Sequence, residues 1–322
     1  MSKRFPLPIL RHSEAGIKDH FKISLGAIVY PIQTRRWRSF LHDNPMLGEL
    51  ARQYPRIIHK IYRPYLSKHL RCADRVDLMI GHYSYMFEAG LGELICEAAR
   101  HPVSVAEFAG KAGTLFRIQL SSINVGHREG ELTLQLIYAG ECVYAASFTL
   151  ADLNGATYIR LGALQGLRSA DGAQVIKNVT RELHGCRPKK LMVSVVRDIG
   201  AYFGCSKILL VSNKNRVSIN GRRSSRISSN YDETWEEMLA CKRPDGNFEL
   251  PCVDALQKNL DLVPSHKRSE ARRRNALLAS VCETIRAFLE MRKSPVAPPS
   301  AGDTGPASNA VPSQVSADRC WA

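Results

Sequence analysis

Apolar positions recur at helical spacing through residues 34–100, where "RRWRSFLHDNPMLGELARQYPRIIHKIYRPYLSK" is punctuated by Pro45, Pro55 and Pro64. Proline has no N–H to donate inside a helix, so it marks helix starts and breaks. The pattern continues in "CADRVDLMIGHYSYMFEAGLGELICEAARH", with Val76, Met79, Ile80 and Tyr83 on one face. The period then changes to two. "LFRIQLSSINV", "ELTLQLIYA", "CVYAASFTL" and "ATYIRLGALQG" alternate apolar with polar residues and are separated by Gly/Glu/Asn turns. Four such strands with short connections predict an antiparallel meander.

Helical spacing returns in "DGAQVIKNVTRELHG", which stops at Gly185, and in "RPKKLMVSVVRDIGAYFG", which stops at Gly204. The continuous apolar run in "CSKILLVSN" predicts a strand buried on both faces. After a polar, basic loop at 213–230 come a short helix in "YDETWEEMLA", a turn and edge strand in "DGNFELP", and a last helix over 265–291. The fold class is α+β, with an N-terminal helical region followed by an antiparallel β-meander with packed helices. The boundaries are an extension at 1–30, the helical region at 31–110, the α+β domain at 111–292 and a tail at 293–322. Residues 31–292 read as one unit, and the Pro/Ala/Ser-rich tail reads as disordered.

Charge changes the picture more than composition does. A formal charge of +15, almost none of it from the tail, predicts attraction to a polyanion: nucleic acid, an anionic membrane surface or a phosphorylated small molecule. Seven Lys/Arg residues, two histidines and one acid, Asp74, lie between Arg52 and Arg75. That patch reads equally as a solvated helix face or a binding surface. Nucleic acid is the weaker partner, because "NGRRSSRISSN" interleaves no aromatic residue for base stacking. For a membrane surface the candidate is "RRWRSFL", although Trp37 and Phe40 fit a core better.

Nine cysteines without a C-x-x-C pair indicate small buried thiols in a reducing compartment. The N-terminal apolar run is short and broken by two prolines, and no stretch reaches transmembrane length. The expected location is therefore cytoplasmic, peripheral to the inner membrane at most. No G-x-S-x-G, H-E-x-x-H, Walker or Rossmann motif occurs, and the histidine spacing suggests no metal site.

Eight stretches, taken in order, resemble the VirK/YbjX family of bacterial proteins: "RPYL" (63–66), "GHY" (81–83), "GALQG" (162–166), "LHGCRPKKL" (183–191), "LLVSN" (209–213), "YDETW" (231–235), "FELP" (248–251) and "VPSHKRSEARRRNALL" (263–278). The resemblance implies a setting in virulence, envelope remodelling and resistance to cationic antimicrobial peptides, with no settled reaction. It also implies a histidine near position 216, where this chain carries Arg216.

The order meander, helix, buried strand is shared by the acyl-CoA-dependent N-acetyltransferase superfamily, in which a helix N-terminus offers N–H groups to the cofactor pyrophosphate. By that reading Arg187, Lys189, Lys190 and Asn213 are cofactor-binding candidates, and Glu182, His184, Tyr231 and Asp232 are candidates for the general base. The superfamily's R/Q-x-x-G-x-G/A loop is missing after Arg187. An unrelated α+β domain with a basic helix start gives the same pattern, and Tyr231 with Trp235, spaced i, i+4, also fits a core pair. A second basic cluster comprises Lys267, Arg268, Arg272, Arg273 and Arg274, with Arg222 and Arg223 in the loop. The stripe Leu278, Val281, Ile285 and Phe288, carried back by helical spacing, meets Arg274, Ala271 and Lys267. Lys267 and Arg274 are therefore expected to be partly buried, either ion-paired or lining an anion pocket.

Overall fold

The computed structural model describes residues 25–123, 128–153, 156–167, 171–217, 230–252 and 263–294. The disordered-tail reading, and the loop carrying Arg222 and Arg223, lie outside them.

The helical region forms as the prolines dictate. Helix α1 (Pro31–Asp43) and α2 (Pro45–Gln53) each begin with proline at the first turn, and the Asn44 side chain accepts the Leu47 N–H to start α2. The short α3 (Arg56–His59) tightens into a 3-10 turn at Lys60–Tyr62 and stops before Pro64, where Arg63 is extended. Then follow α4 (Cys72–Glu88) and α5 (Gly92–Arg100). Val76, Met79 and Tyr83 of α4 are buried, with Ile80 half-buried beside them. Trp37 is fully buried and gives its indole N–H to the Ile57 carbonyl, so "RRWRSFL" contributes core.

The next segment departs from expectation. Val103–Ala109, inside the stretch read as helical, is strand β1 and pairs antiparallel with β2 (Leu115–Ser122). Its "VSVAEFA" is a short β-branched run behind His101-Pro102, easily absorbed into the preceding helical pattern. Strands β3 (Leu132–Tyr138), β4 (Glu141–Leu153) and β5 (Ala156–Gly166) complete the predicted meander. Helices α6 (Gly172–Glu182) and α7 (Pro188–Tyr202) then cross over to β6 (Lys207–Leu210), which lies parallel to β5. Helix α8 (Tyr231–Glu237), strands β7 (Cys241–Lys242) and β8 (Phe248–Pro251), and α9 (Ser265–Met291) finish the chain.

The sheet order is β1-β2-β3-β4-β5-β6-β8-β7. Strand β8 is therefore covered on its outer side by two residues of β7 and is not an edge. Strand β6 is not buried on both faces either: Ile208 and Leu210 are buried, Leu209 is half-buried and Lys207 is exposed. At the sheet centre five consecutive residues of β3, Leu132–Leu136, are buried, so both of its faces are covered there. One hydrophobic core runs from Trp37 to Leu289. Helix α9 packs against β1 and α7, with Arg286 paired to Asp198 of α7 at 3.2 Å.

Candidate functional site

The most strongly built polar feature lies beneath the helical region. Lys60, on the 3-10 turn, places its Nζ 2.6 Å from Glu131 Oε1, and the two side chains are 6% and 1% exposed. Removing both charges from water costs several kcal/mol per ion, so such a pair persists only with further hydrogen bonds. Those are present. Tyr83 donates its hydroxyl to Glu131 Oε2 at 2.6 Å, and Thr149 Oγ1 accepts the Glu131 N–H at 3.1 Å. Tyr65 shares a 2.8 Å hydrogen bond with the same threonine oxygen, and its ring centroid lies 5.0 Å from the Lys60 ammonium. His82 packs edge-on to Tyr83 and donates Nδ1–H to the Leu150 carbonyl at 3.1 Å, which leaves Nε2 as the lone-pair nitrogen.

The electrostatics follow from burial and charge. Burial pushes the Glu131 carboxyl up, but the Lys60 ammonium and the hydrogen bonds outweigh it and hold the group below the usual carboxylate value. Burial lowers His82 to about 4, so its imidazole is neutral at physiological pH. Burial and the Glu131 charge raise both Tyr65 and Tyr83 well above the ordinary phenol, keeping them protonated donors.

Two glycines let the Glu131 segment approach. A Cβ on Gly162 would overlap the Glu129 carbonyl oxygen, and one on Gly130 would lie 2.5 Å from the Phe148 nitrogen. Here "GALQG" has a physical reason for its first glycine: the turn leading to β3 presses on the β5 backbone. The Leu66 N–H to the Arg128 carbonyl, 2.8 Å, ties "RPYL" to the same turn.

The residues proposed for cofactor binding and catalysis sit elsewhere. At the start of α7, Lys189 is 2.9 Å and Arg187 3.5 Å from the Glu237 carboxylate of α8, while Lys190 is half-buried beside them. Asn213 braces the start of α8 by accepting the Tyr231 N–H at 2.9 Å. Asp232 accepts the Asn213 N–H at 2.7 Å, and Glu182 accepts the Ala112 N–H of the β1–β2 turn at 2.9 Å. His184 is half-buried with φ +50 at the end of α6. No hydrogen bond among the described residues joins Glu182 or His184 to Tyr231 or Asp232.

Tyr231 and Trp235 do form a core pair, with centroids 5.6 Å apart. Tyr231 also does something no spacing foretold. Strand β6 ends at Leu210, so β5 stays paired to it only as far as Leu161, and beyond that there is a gap in the strand-to-strand hydrogen bonding. The Tyr231 hydroxyl enters that gap, accepting the Leu164 N–H at 2.6 Å and donating to the Leu164 carbonyl at 2.8 Å. Arg216, where the resemblance implies histidine, is 4% exposed and stacks its guanidinium 3.6 Å from the Tyr231 ring centroid.

The basic run on α9 corrects one expectation. Arg274 is half-buried, but Lys267 is exposed, as are Arg272 and Arg273. Lys267 keeps the predicted angle on the helix, yet it lies a full turn before the first buried residue, Ala271. Facing the right way buries nothing without an element opposite. Arg268 is half-buried instead and donates Nε–H to the Val263 carbonyl at 2.9 Å. No ion pair joins Lys267 or Arg274 to another described residue.

Sequence reasoning gave Glu131 and Thr149 no role and counted Lys60 only as one cation of the Arg52–Arg75 patch. It quoted Tyr65 and His82 within "RPYL" and "GHY" without giving them a role, and placed Tyr83 only on the apolar face of its helix.

Comparison with known proteins places the chain in a family. The model of a family of unknown function, DUF535, matches residues 13–287. YbjX of Escherichia coli (strain K12), described as an uncharacterized protein, is 27% identical over 266 residues, covering 81% of this chain and 80% of that protein. An uncharacterized protein of Haemophilus influenzae is 25% identical over 268 residues, 83% of this chain and 87% of its own. A Mannheimia haemolytica protein named membrane protein LapB is 21% identical over 221 residues, 67% of this chain and 92% of its own. Among the described residues of this chain no helix is long and apolar enough to cross a membrane. The chain belongs to the DUF535 family, to which the VirK/YbjX resemblance pointed.

Proposed function

We propose that the protein is an acyltransferase-like enzyme that takes acyl-CoA and acts on an envelope or protein substrate, the setting that the VirK/YbjX resemblance implies. The observation that carries this reading is the gap between β5 and β6. A parallel strand pair reached by a helical crossover stops after Leu161, and the buried N–H and C=O of Leu164 are met by a tyrosine hydroxyl instead of a strand. An amide of an extended pantetheine arm offers the same donor and acceptor as that hydroxyl. The start of α7 supports the reading. Its N-terminal N–H groups have no side-chain cap, and Arg187, Lys189 and Lys190 surround it. A cofactor diphosphate would compete there with Glu237. Of the four base candidates, Glu182 and Asp232 hold backbone N–H groups, Tyr231 fills the gap and His184 sits in a left-handed turn at the end of α6, so the geometry selects none of them.

The test is acyl-CoA titration of wild type and Tyr231→Phe, followed by melting temperature at low and high salt. Removing the hydroxyl leaves two buried backbone groups unsatisfied and costs about 1–3 kcal/mol in the free protein. It should also increase the stabilisation that saturating acyl-CoA gives. Absence of a saturable, salt-resistant shift in both proteins would sink the reading. A non-catalytic role, in which the basic patches hold an anionic surface, is the second reading. It is favoured by the net charge of +15.

A further inference from the structure

Beside the buried Lys60–Glu131 pair the protein surface holds a notch whose lining is unusually cationic. Arg56, His59, Lys60, Arg63 and Arg128 line it with Pro64 and Tyr65, and no carboxylate is among them. The notch has room for about one water-sized group, about 10 Å³, so it admits a single oxygen of an anion while Arg56 stands exposed on the same lining. Arg128 is held in place, donating to the carbonyls of Pro64 and Val217 at 3.3 and 2.9 Å.

His59 and Arg63 also line a second, apolar groove, together with Leu25, Gly26, Val29, Tyr30 and Tyr62. This groove offers about 230 Å³ of open space, far more than the roughly 10–15 Å³ that one water needs on the same measure. Its wall is fixed. Tyr62 stacks on Tyr30 with centroids 6.4 Å apart and hydrogen-bonds Thr34 Oγ1 at 2.8 Å. The surrounding surface is also distinctive. Of the eight large hydrophobic residues that stand exposed among the described residues, five (Leu25, Ile28, Val29, Tyr30 and Ile32) fall within one eight-residue stretch. Scattered exposed apolar residues are ordinary, whereas a contiguous patch rimmed by cations marks an interaction surface.

We infer that this notch and groove together bind an anionic lipid, its phosphate headgroup at Arg56 and Arg63 and its acyl chain against Val29, Leu25 and Tyr62. Charge complementarity selects the phosphate, and the continuity of notch with groove through two shared residues selects an amphiphile over a free anion. A cationic rim beside exposed aliphatic residues is also what holds a protein at an anionic bilayer surface. The site shares no residue with the gap between β5 and β6, so its failure leaves the acyl-transfer reading standing, and the reverse holds too.

The experiment is sedimentation of the full chain with phosphatidylcholine vesicles, with and without phosphatidic acid, at low and high salt. Binding should require phosphatidic acid and persist in high salt. Arg56→Glu alters an exposed side chain and should weaken it roughly tenfold or more. Val29→Asp should weaken it comparably, while Lys111→Glu with Arg181→Glu, two exposed cations on other elements, should change it by less than about twofold. Melting temperatures of each variant report that folding is intact. Equal loss in Lys111→Glu/Arg181→Glu would reduce the effect to general basicity and overturn the proposal. Retained binding in Val29→Asp would remove the groove from it. Saturable binding of glycerol 3-phosphate without any vesicle binding would assign the notch to a soluble phosphate compound instead.

Discussion

Two basic regions of this molecule are alike in sequence and opposite in structure. Arg52–Arg75 and Lys267–Arg274 both carry dense cations on helical segments, and either reads as a solvated face or a binding surface. In the first, the chain folds Lys60 inward onto Glu131 and surrounds the pair with Tyr65, Tyr83, His82 and Thr149. In the second, Lys267, Arg272 and Arg273 stay in solvent, and among the described residues Arg268 turns inward only to a backbone carbonyl. Charge density does not distinguish them. What does is whether another element stands opposite with a carboxylate.

The largest expected effect tests that difference directly. Glu131→Ala leaves Lys60 buried without its partner and should destabilise the protein by about 3–5 kcal/mol in urea unfolding. Replacing both residues by apolar ones of similar volume should recover much of the loss. If Glu131→Ala costs less than about 1 kcal/mol, the pair behaves like a surface contact and the contrast fails.

A somewhat smaller effect concerns pH. The folded value of His82, about 4, lies below its ordinary 6.5, so the unfolded chain binds the proton more readily between those values. The stability contributed by neutral His82 is full above 6.5 and is lost as pH falls toward 4, in total on the order of 3 kcal/mol. Glu131, held below the usual carboxylate value, adds its own loss only at lower pH. His82→Gln should flatten the stability profile between 6.5 and 4, and an unchanged slope would show that another group carries it.

The smallest effect lies on α9. Lys267→Ala and Arg272→Ala should each shift stability by no more than about 0.5 kcal/mol. A cost above about 1 kcal/mol for Lys267→Ala would show that the exposed first turn has a partner after all.

Much of the architecture was legible because it is local. The alternation in "ELTLQLIYA" and "ATYIRLGALQG" reports strands directly, and Gly185 and Gly204 end their helices at φ +75 and +74. Helix α9 falls on the residues its periodicity marked. Strand β1 was hidden, since seven residues after a long helical stretch carry little periodicity and its identity depends on pairing with β2. The buried cluster was hidden for a stronger reason. Lys60 and Glu131 lie on separate elements, and nothing around Lys60 sets it apart from its cationic neighbours. A fold must bring them together before either has a role. The Tyr231 hydroxyl in the β5–β6 gap is the same kind of fact: its i, i+4 partner Trp235 was visible, its cross-sheet partner Leu164 was not.

The position of α9 has a consequence for synthesis. The last helix lies against the first strand, and Ser294 N–H closes onto the Gly90 carbonyl at 2.9 Å while Arg292 pairs with Glu97. As the chain leaves the ribosome, the surfaces of β1 and α7 that this helix contacts stay uncovered until nearly everything before it has been made. A nascent chain halted before Ser265 lacks that cover and is expected to aggregate more readily than the full chain.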